Sequence, residues 1–437
     1  MTNRPLNLHE FFYGVLGFID DCPTAFHTVA TVTRELEADG YTKLRSDAPW
    51  SLTPGGKYYL TCNDSSLIAF RVPTCEPSGF MITATHSDSP AFKLKPAPQH
   101  TAAPYAQLNT ERYGGMLLHT WFDRFLSVAG RVLVEEDGRV VSRLIAPDDF
   151  TVLIPSVAVH LDRTANDGKK LNPAVDLLPL YGMADGTTFT AQLAKWANAA
   201  EENILGHDLY LVCQDSGALW GANKAFVSAP RLDDLACVFG CLQGFLQAEE
   251  NSAINVLCVF DNEETGSETK QGAGSTLLRD TLRRIANGLQ CDYDALLARS
   301  FMVSADNAHA LHPNHPELSD RDNCPVLNGG IVIKYNANQR YTTDAVSAAL
   351  LRMLCRKADV PVQSFSNRSD MAGGSTLGSI ANTHLPVRTV DIGLAQLAMH
   401  SAFETMGSAG LKSLIKAMTA FYSTALDIAD DGALYWK

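Results

Sequence analysis

Residues 79–90 read Gly79-Phe80-Met81-Ile82-Thr83-Ala84-Thr85-His86-Ser87-Asp88-Ser89-Pro90, a strand-like run that feeds straight into an imidazole and a carboxylate. The same pattern recurs downstream. Ile254 to Phe260 is a continuous apolar strand followed by Asp261, Glu263 and Glu264. Phe301 to Ser304 is followed by Asp306, and Val387 to Ile392 leads through a short loop to Met399-His400-Ser401. Helix-like spacing separates these strands, at Leu232 to Ala248, Ser275 to Ile285 and Ala345 to Arg356, with Leu411 to Ile428 as a C-terminal helix. Strands alternating with helices predict an α/β fold with a mainly parallel sheet and helices on both faces. In such sheets ligands bind beyond the carboxyl ends of the strands, so four charged strand ends from distant parts of the chain are candidates for one site.

Working outward, Leu8 to Leu16 and Phe26 to Ala38 predict two helices split at Cys22-Pro23-Thr24. Lys57 to Thr61 and Ser66 to Val72 predict further strands, and Gly330 to Lys334 another. Between about Ala91 and Ala225 the texture changes. Gly130 to Val134 and Arg139 to Ile145 flank Glu135-Glu136-Asp137-Gly138, a hairpin signal in which Asp-Gly supplies the positive φ of a tight turn. This predicts a β-rich unit over residues 93–228, inserted between two parts of a core formed by 1–92 and 229–437.

Composition narrows the function. Of 437 residues, 46% are hydrophobic and 19% charged, so the chain carries enough apolar surface for a core and is not disordered. A formal charge of −13 argues against nucleic acid as the main partner. No apolar run approaches the ~18 residues of a membrane helix, and Met1 to Tyr13 lacks the apolar centre of a signal peptide, so no membrane partner and a cytoplasmic location are expected. The ten cysteines include no Cys-x-x-Cys pair and read as free thiols.

The residue types at the strand ends, imidazoles and carboxylates without thiolates, favour zinc or a similar ion. His86, Glu264, Asp306 and His400 supply four ligands, and Asp233-Asp234 at a helix start supplies a fifth. Adjacent Glu263 and Glu264 cannot both face one metal from a regular turn, so one ligates while the other acts as general base. His86-x-Asp88 fits a ligating imidazole oriented by a carboxylate. His309, His312 and His315 form a His-x-x-His-x-x-His series, but Pro313 and Pro316 break any helix that would align them. They read as structural, supporting or solvated residues.

At these residues the chain resembles the aspartyl aminopeptidase family of dinuclear zinc peptidases. The resemblance runs nearly end to end, through Thr85–Pro90, Pro230–Leu235, Asp261–Ser267, Ser304–Asn314, Gln339-Arg340-Tyr341, Gly374-Ser375-Thr376 and Ala398–Ser401. It implies a zinc-peptidase core interrupted by a β-rich dimerisation domain. It also implies two zinc ions per subunit, with cobalt or manganese accepted by the same ligands. His86 and Asp306 would hold one ion, Glu264 and His400 the other, and Asp233 would bridge them, leaving Asp234 a neutral role. Glu263 would be the general acid/base and Asp88 would orient His86. Lys334 would recognise an acidic substrate side chain, and His160 would complete a neighbouring subunit's site in a tetrahedral dodecamer built from dimers. Gly374 would offer backbone N–H groups to a peptide substrate with a free N-terminus. The expected activity is release of an N-terminal Asp or Glu. A dinuclear carboxypeptidase or deacylase is the second reading, and a non-catalytic peptide-binding shell the third.

Overall fold

Ile254–Phe260, Phe80–His86, Phe301–Ala305 and Arg388–Leu397 lie side by side in that order, each parallel to the next. The structure, a computed structural model, describes residues 8–102 and 104–437, so the first part of the Met1–Tyr13 stretch lies outside it. The register sets His86 opposite Phe260 and Ala305 opposite Ile392, which brings the charged strand ends to one edge.

Every residue of Phe80–His86 and Ile254–Phe260 is buried, so both faces of the sheet must be covered. Alternate side chains go to opposite faces. Leu257, Val259 and Val303 pack with Leu235, Leu242, Leu414 and Met418 of helices Leu232–Gln247 and Gly410–Tyr422. Phe80, Ile82, Val256 and Cys258 pack with Leu278, Leu282 and Ile285 of helix Leu277–Gly288. Gly244 lets the first two helices approach closely, since a Cβ there would stand 2.4 Å from that of Met418. Antiparallel strands extend the sheet, Ser66–Arg71 beside Ile254–Phe260 and Ile331–Tyr335 beside Arg388–Leu397.

A second sheet of six antiparallel strands draws on residues between Ala91 and Cys213. It has its own core around Phe92, Leu108, Trp121, Val128, Phe189 and Leu209. In the hairpin, Glu136 pairs with Arg139 across Asp137 (φ 52°) and Gly138 (φ 70°), both in the left-handed region that a two-residue turn needs.

Two assignments differ from the sequence reading. Strand Ala218–Trp220 and all but the last residue of Phe226–Ala229 fall inside the expected 93–228 insert, yet the two pair with each other and the second with Glu404–Gly407 of the larger sheet. β-rich texture does not say which sheet a strand joins. The C-terminal helix, expected to reach Ile428, ends at Tyr422, whose carbonyl accepts hydrogen bonds from the side-chain amides of Asn251 and Asn255. Leu426–Ile428 instead pairs with Leu434–Trp436. All ten cysteines are free, and no helix among the described residues is long and apolar enough to cross a membrane.

Candidate metal centre

His86 ends its strand with 1% of its surface exposed. Its Nε2 lies 3.6 Å from Asp233 Oδ1, and the other oxygen of Asp233 lies 3.5 Å from His400 Nε2. His400 Nε2 is in turn 3.4 Å from Glu264 Oε2. A tetrahedral zinc ion with bonds of about 2.0–2.2 Å holds neighbouring ligand atoms roughly 3.3–3.6 Å apart, so these separations suit atoms that share an ion. Asp233 thus stands between the two imidazoles. It does so because Asp233 (ψ 108°) and Asp234 (φ −115°, ψ 18°) leave helical geometry at the start of helix Leu232–Gln247.

Three groups have ligand atoms within 4.8 Å of one another: His86 with Asp233, Asp234 and Asp306; His86 with Glu263 and Glu264; and Asp233 with Glu264 and His400. Asp233 Oδ1, Asp234 Oδ1 and Glu264 Oε1 are buried with no hydrogen-bond partner among the described residues. Buried carboxylate oxygens are costly unless paired or bound to a cation, so the donor set fits a metal. Both Glu263 and Glu264 reach His86 because their short turn is irregular, flanked by Asn262 (φ 61°) and Gly266 (φ 101°) in the left-handed region.

Burial pushes Glu263 up to about 8; His86 opposes this, while Asp306, Asp88 and Asp233 add to it. Burial likewise raises Glu264 and Asp234 well above the carboxylate range. Asp233 is pushed up by burial but held below the usual range by the His400 and His86 imidazoles close to its carboxylate.

Asp88 supports His86 chiefly through its backbone, with the carbonyl 3.0 Å from Nδ1 and Oδ1 3.4 Å away. Its carboxylate accepts the amides of Glu263 (3.1 Å) and Glu264 (3.2 Å) and the Tyr113 hydroxyl (2.7 Å). Lys334 is 2% exposed; its Nζ donates to the carbonyls of Asp306 (2.7 Å) and Asn307 (3.2 Å) and lies 3.5 Å from Asp306 Oδ2. The ammonium is therefore fastened to the loop that carries Asp306.

Gly374 lines a cleft of roughly 290 Å³ with His309, His312, Phe365, Asn367 and Met399. Buried Asp391 accepts the Thr342 amide and the hydroxyls of Thr342 and Thr376, tying the segment just after Gln339-Arg340-Tyr341 to Gly374-Ser375-Thr376. A smaller cavity of about 50 Å³ beside Asp88, Tyr113, Asp233 and Glu404 has room for water but not for a peptide. His160 lies outside the three groups, on an exposed turn of the second sheet's unit. His315 is exposed, 3.0 Å from Glu317. The sequence reading missed Tyr113, Asp391 and Glu404, since each acts on groups brought close only by folding: Tyr113 on the Asp88 carboxylate, the other two on backbone amides and hydroxyls.

An α/β sheet with such a group at its parallel strand ends defines a metal-dependent hydrolase. A profile of the family described as Aminopeptidase I zinc metalloprotease (M18) matches residues 18–422. The probable M18 family aminopeptidase 2 of Clostridium novyi (strain NT) is 42% identical over 430 residues, covering 95% of this chain and 99% of that protein. Its counterpart from Pseudomonas entomophila (strain L48) is 43% identical, covering 94% and 97%. Among solved structures, the cryo-EM structure of the Ape4 and Nbr1 complex superposes with a TM-score of 0.91 at 37% identity, covering 94% of this chain and 85% of that one. The S. cerevisiae mApe1 dodecamer gives 0.84 at 27%, covering 95% and 97%. The chain belongs to the M18 family of zinc aminopeptidases and is a metallo-aminopeptidase.

Proposed function

We propose that the enzyme removes N-terminal Asp or Glu from peptides, with Glu263 as general base at a centre of two zinc ions per subunit. The observation that carries this is the pairing of Asp233 with both imidazoles, each of which is close to a second carboxylate. His86 and Asp306 would hold one ion and Glu264 and His400 the other, with Asp233 serving both; cobalt or manganese would suit the same ligands. When bound, the metal supplies Lewis acidity and a water acidic enough to serve as nucleophile near neutral pH. Glu263 takes the proton of the attacking water on its carboxylate and passes it to the leaving amine. Asp88 holds the Glu263 amide and so fixes where that carboxylate stands. Burial raises Asp234 above the usual carboxylate range, which suits a neutral role beside the ligands.

The acidic preference is assigned to Lys334, whose buried ammonium beside Asp306 would pair with a substrate carboxylate on giving up its contacts to the Asp306 and Asn307 carbonyls. Gly374 presents backbone to the substrate in the cleft. The subunits assemble as dimers into a dodecamer, in which His160 enters a neighbour's site. In support, one solved relative is titled a dodecamer, and Val157, Val159 and Leu161 stand exposed around His160. The enzyme works in the cytoplasm.

The test is initial rates of zinc-loaded enzyme on chromogenic Asp, Glu, Leu and Lys amides, with N-acetylated controls. Faster Asp and Glu turnover that acetylation abolishes supports the reading. Turnover led by Leu or Lys removes the acidic preference, and activity on acetylated substrates removes the exopeptidase mechanism.

A further inference from the structure

We propose that Glu404 is a positioning residue that sets the geometry of the metal centre through the backbone, by gripping the amides of two ligand-bearing residues at once. Glu404 opens strand Glu404–Gly407 and is 2% exposed. Its Oε2 accepts the Asp233 amide at 2.9 Å, and its Oε1 accepts the His400 amide at 2.7 Å. One carboxylate therefore ties a helix start to a loop that is far away in sequence. Both carry donors that approach each other at 3.5 Å.

The two gripped residues need this support. His400 has φ 65° and Ala398 φ 54°, in the left-handed region that non-glycine residues occupy only when their surroundings hold them there. Asp233 leaves helical geometry in what is otherwise the first turn of a helix. Neither conformation is favoured by local sequence, and each leaves an amide that must find an acceptor in the interior. An ionised carboxylate accepts from both amides, whereas a carboxamide has only one acceptor oxygen and would turn an NH₂ toward the other N–H.

Asp88 makes the same kind of grip on the amides of Glu263 and Glu264. The two acids thus hold the backbone of the proposed base and of three proposed ligands. Asp88 also meets the His86 ring, so its loss would disturb a ligand side chain directly. Glu404 is the cleaner case: among the described residues its carboxylate accepts only from backbone amides. Outer partners of this kind typically change metal affinity by about 10–100-fold when removed.

This inference rests on the two-zinc reading, and the experiment separates their failures. Full-length wild type, Glu404→Gln and Glu404→Ala are titrated with zinc against a chromophoric chelator. The cobalt-substituted forms are compared by visible absorption, and the chelator-treated forms by thermal melting. The expected result for Glu404→Gln is zinc binding weakened about 10–100-fold and a changed cobalt spectrum, with the metal-free melting temperature near wild type. Glu404→Ala shifts further in the same direction; if it does not fold, Glu404→Gln carries the test. Wild-type zinc affinity and cobalt spectrum in Glu404→Gln would overturn the role of Glu404 alone. So would a lower melting temperature with unchanged affinity of the folded fraction, which marks a purely structural residue. Absence of zinc uptake by wild type would overturn the metal reading and this inference with it.

Discussion

The larger sheet gathers His86, Asp233, Asp234, Asp306, Lys334 and Glu404 in its interior and leaves carboxylate oxygens there without partners. The six-stranded sheet builds its core around Phe92, Trp121 and Phe189 and, among the described residues, buries no charged side chain there. Its charges are paired nearer solvent, as in Lys93 and Arg131 on Asp208. Yet that second unit exposes Phe125, Val157, Val159, Leu161 and Val175. Each region breaks one folding rule, the first by burying charge and the second by exposing apolar surface. Charge buried without partners calls for a cation, and exposed apolar side chains grouped near His160 call for another protein surface.

The contrast breaks most sharply at Glu263. Glu263→Ala should keep zinc content and fold while lowering turnover about 10²–10⁴-fold, as measured by initial rates alongside metal analysis. A large residual rate would move the base elsewhere. Next comes Lys334→Met, which leaves the Asp306 and Asn307 carbonyls without their donor and the Asp306 carboxylate without its cation. Breaking such a buried pair should cost about 3–5 kcal/mol in denaturant unfolding. If Lys334 also reads substrate, the rate ratio of Asp to Leu amides should fall in the folded enzyme.

On the second sheet, Leu161 is 83% exposed, and a charge at a free surface position costs little. Leu161→Asp should nevertheless weaken self-association about 100-fold, near 3 kcal/mol, with light scattering reporting smaller species and zinc content unchanged. An unchanged assembly would remove this loop from the interface.

The smallest effect lies where the two regions meet. Helix Ala25–Ala38 carries Phe26, whose ring lies under Arg131 of the second sheet, and His27. Burial, with Arg231 adding to it, lowers His27 to about 4. Between pH 6.5 and 4 the unfolded chain binds more protons than the folded one, so stability is complete above 6.5 and falls as the pH drops through this window. His27→Gln should flatten that slope by about 2 kcal/mol in paired unfolding curves at pH 7 and pH 4.5.

Periodicity and strand-end chemistry made the parallel core legible. Ile254–Phe260 matches its expected limits, and Phe301–Ala305 differs by one residue. His86, Glu264, Asp306 and His400 announced themselves because a charged residue at the end of an apolar run is a local signal. Glu404 and Asp391 gave none: one acts on amides from two distant segments and the other on two loops, and such partners are set by topology. The expected insert, 93–228, takes in strand residues 218–220 and 226–228 that pair with the larger sheet, for the same reason: pairing partners are non-local. The helix end at Tyr422 was hidden because asparagines from the other side of the fold complete it.

The chain order of these elements also bears on synthesis. The second sheet is complete once Cys213 has been made, and it can settle as a unit while translation continues. The candidate centre waits for His400 and Glu404, and the strand Leu434–Trp436, whose Trp436 ring packs on Phe301 and Phe421, is made later still. On the ribosome the nascent chain therefore lacks His400 and Glu404, and the contacts they make, until long after the second sheet has been translated.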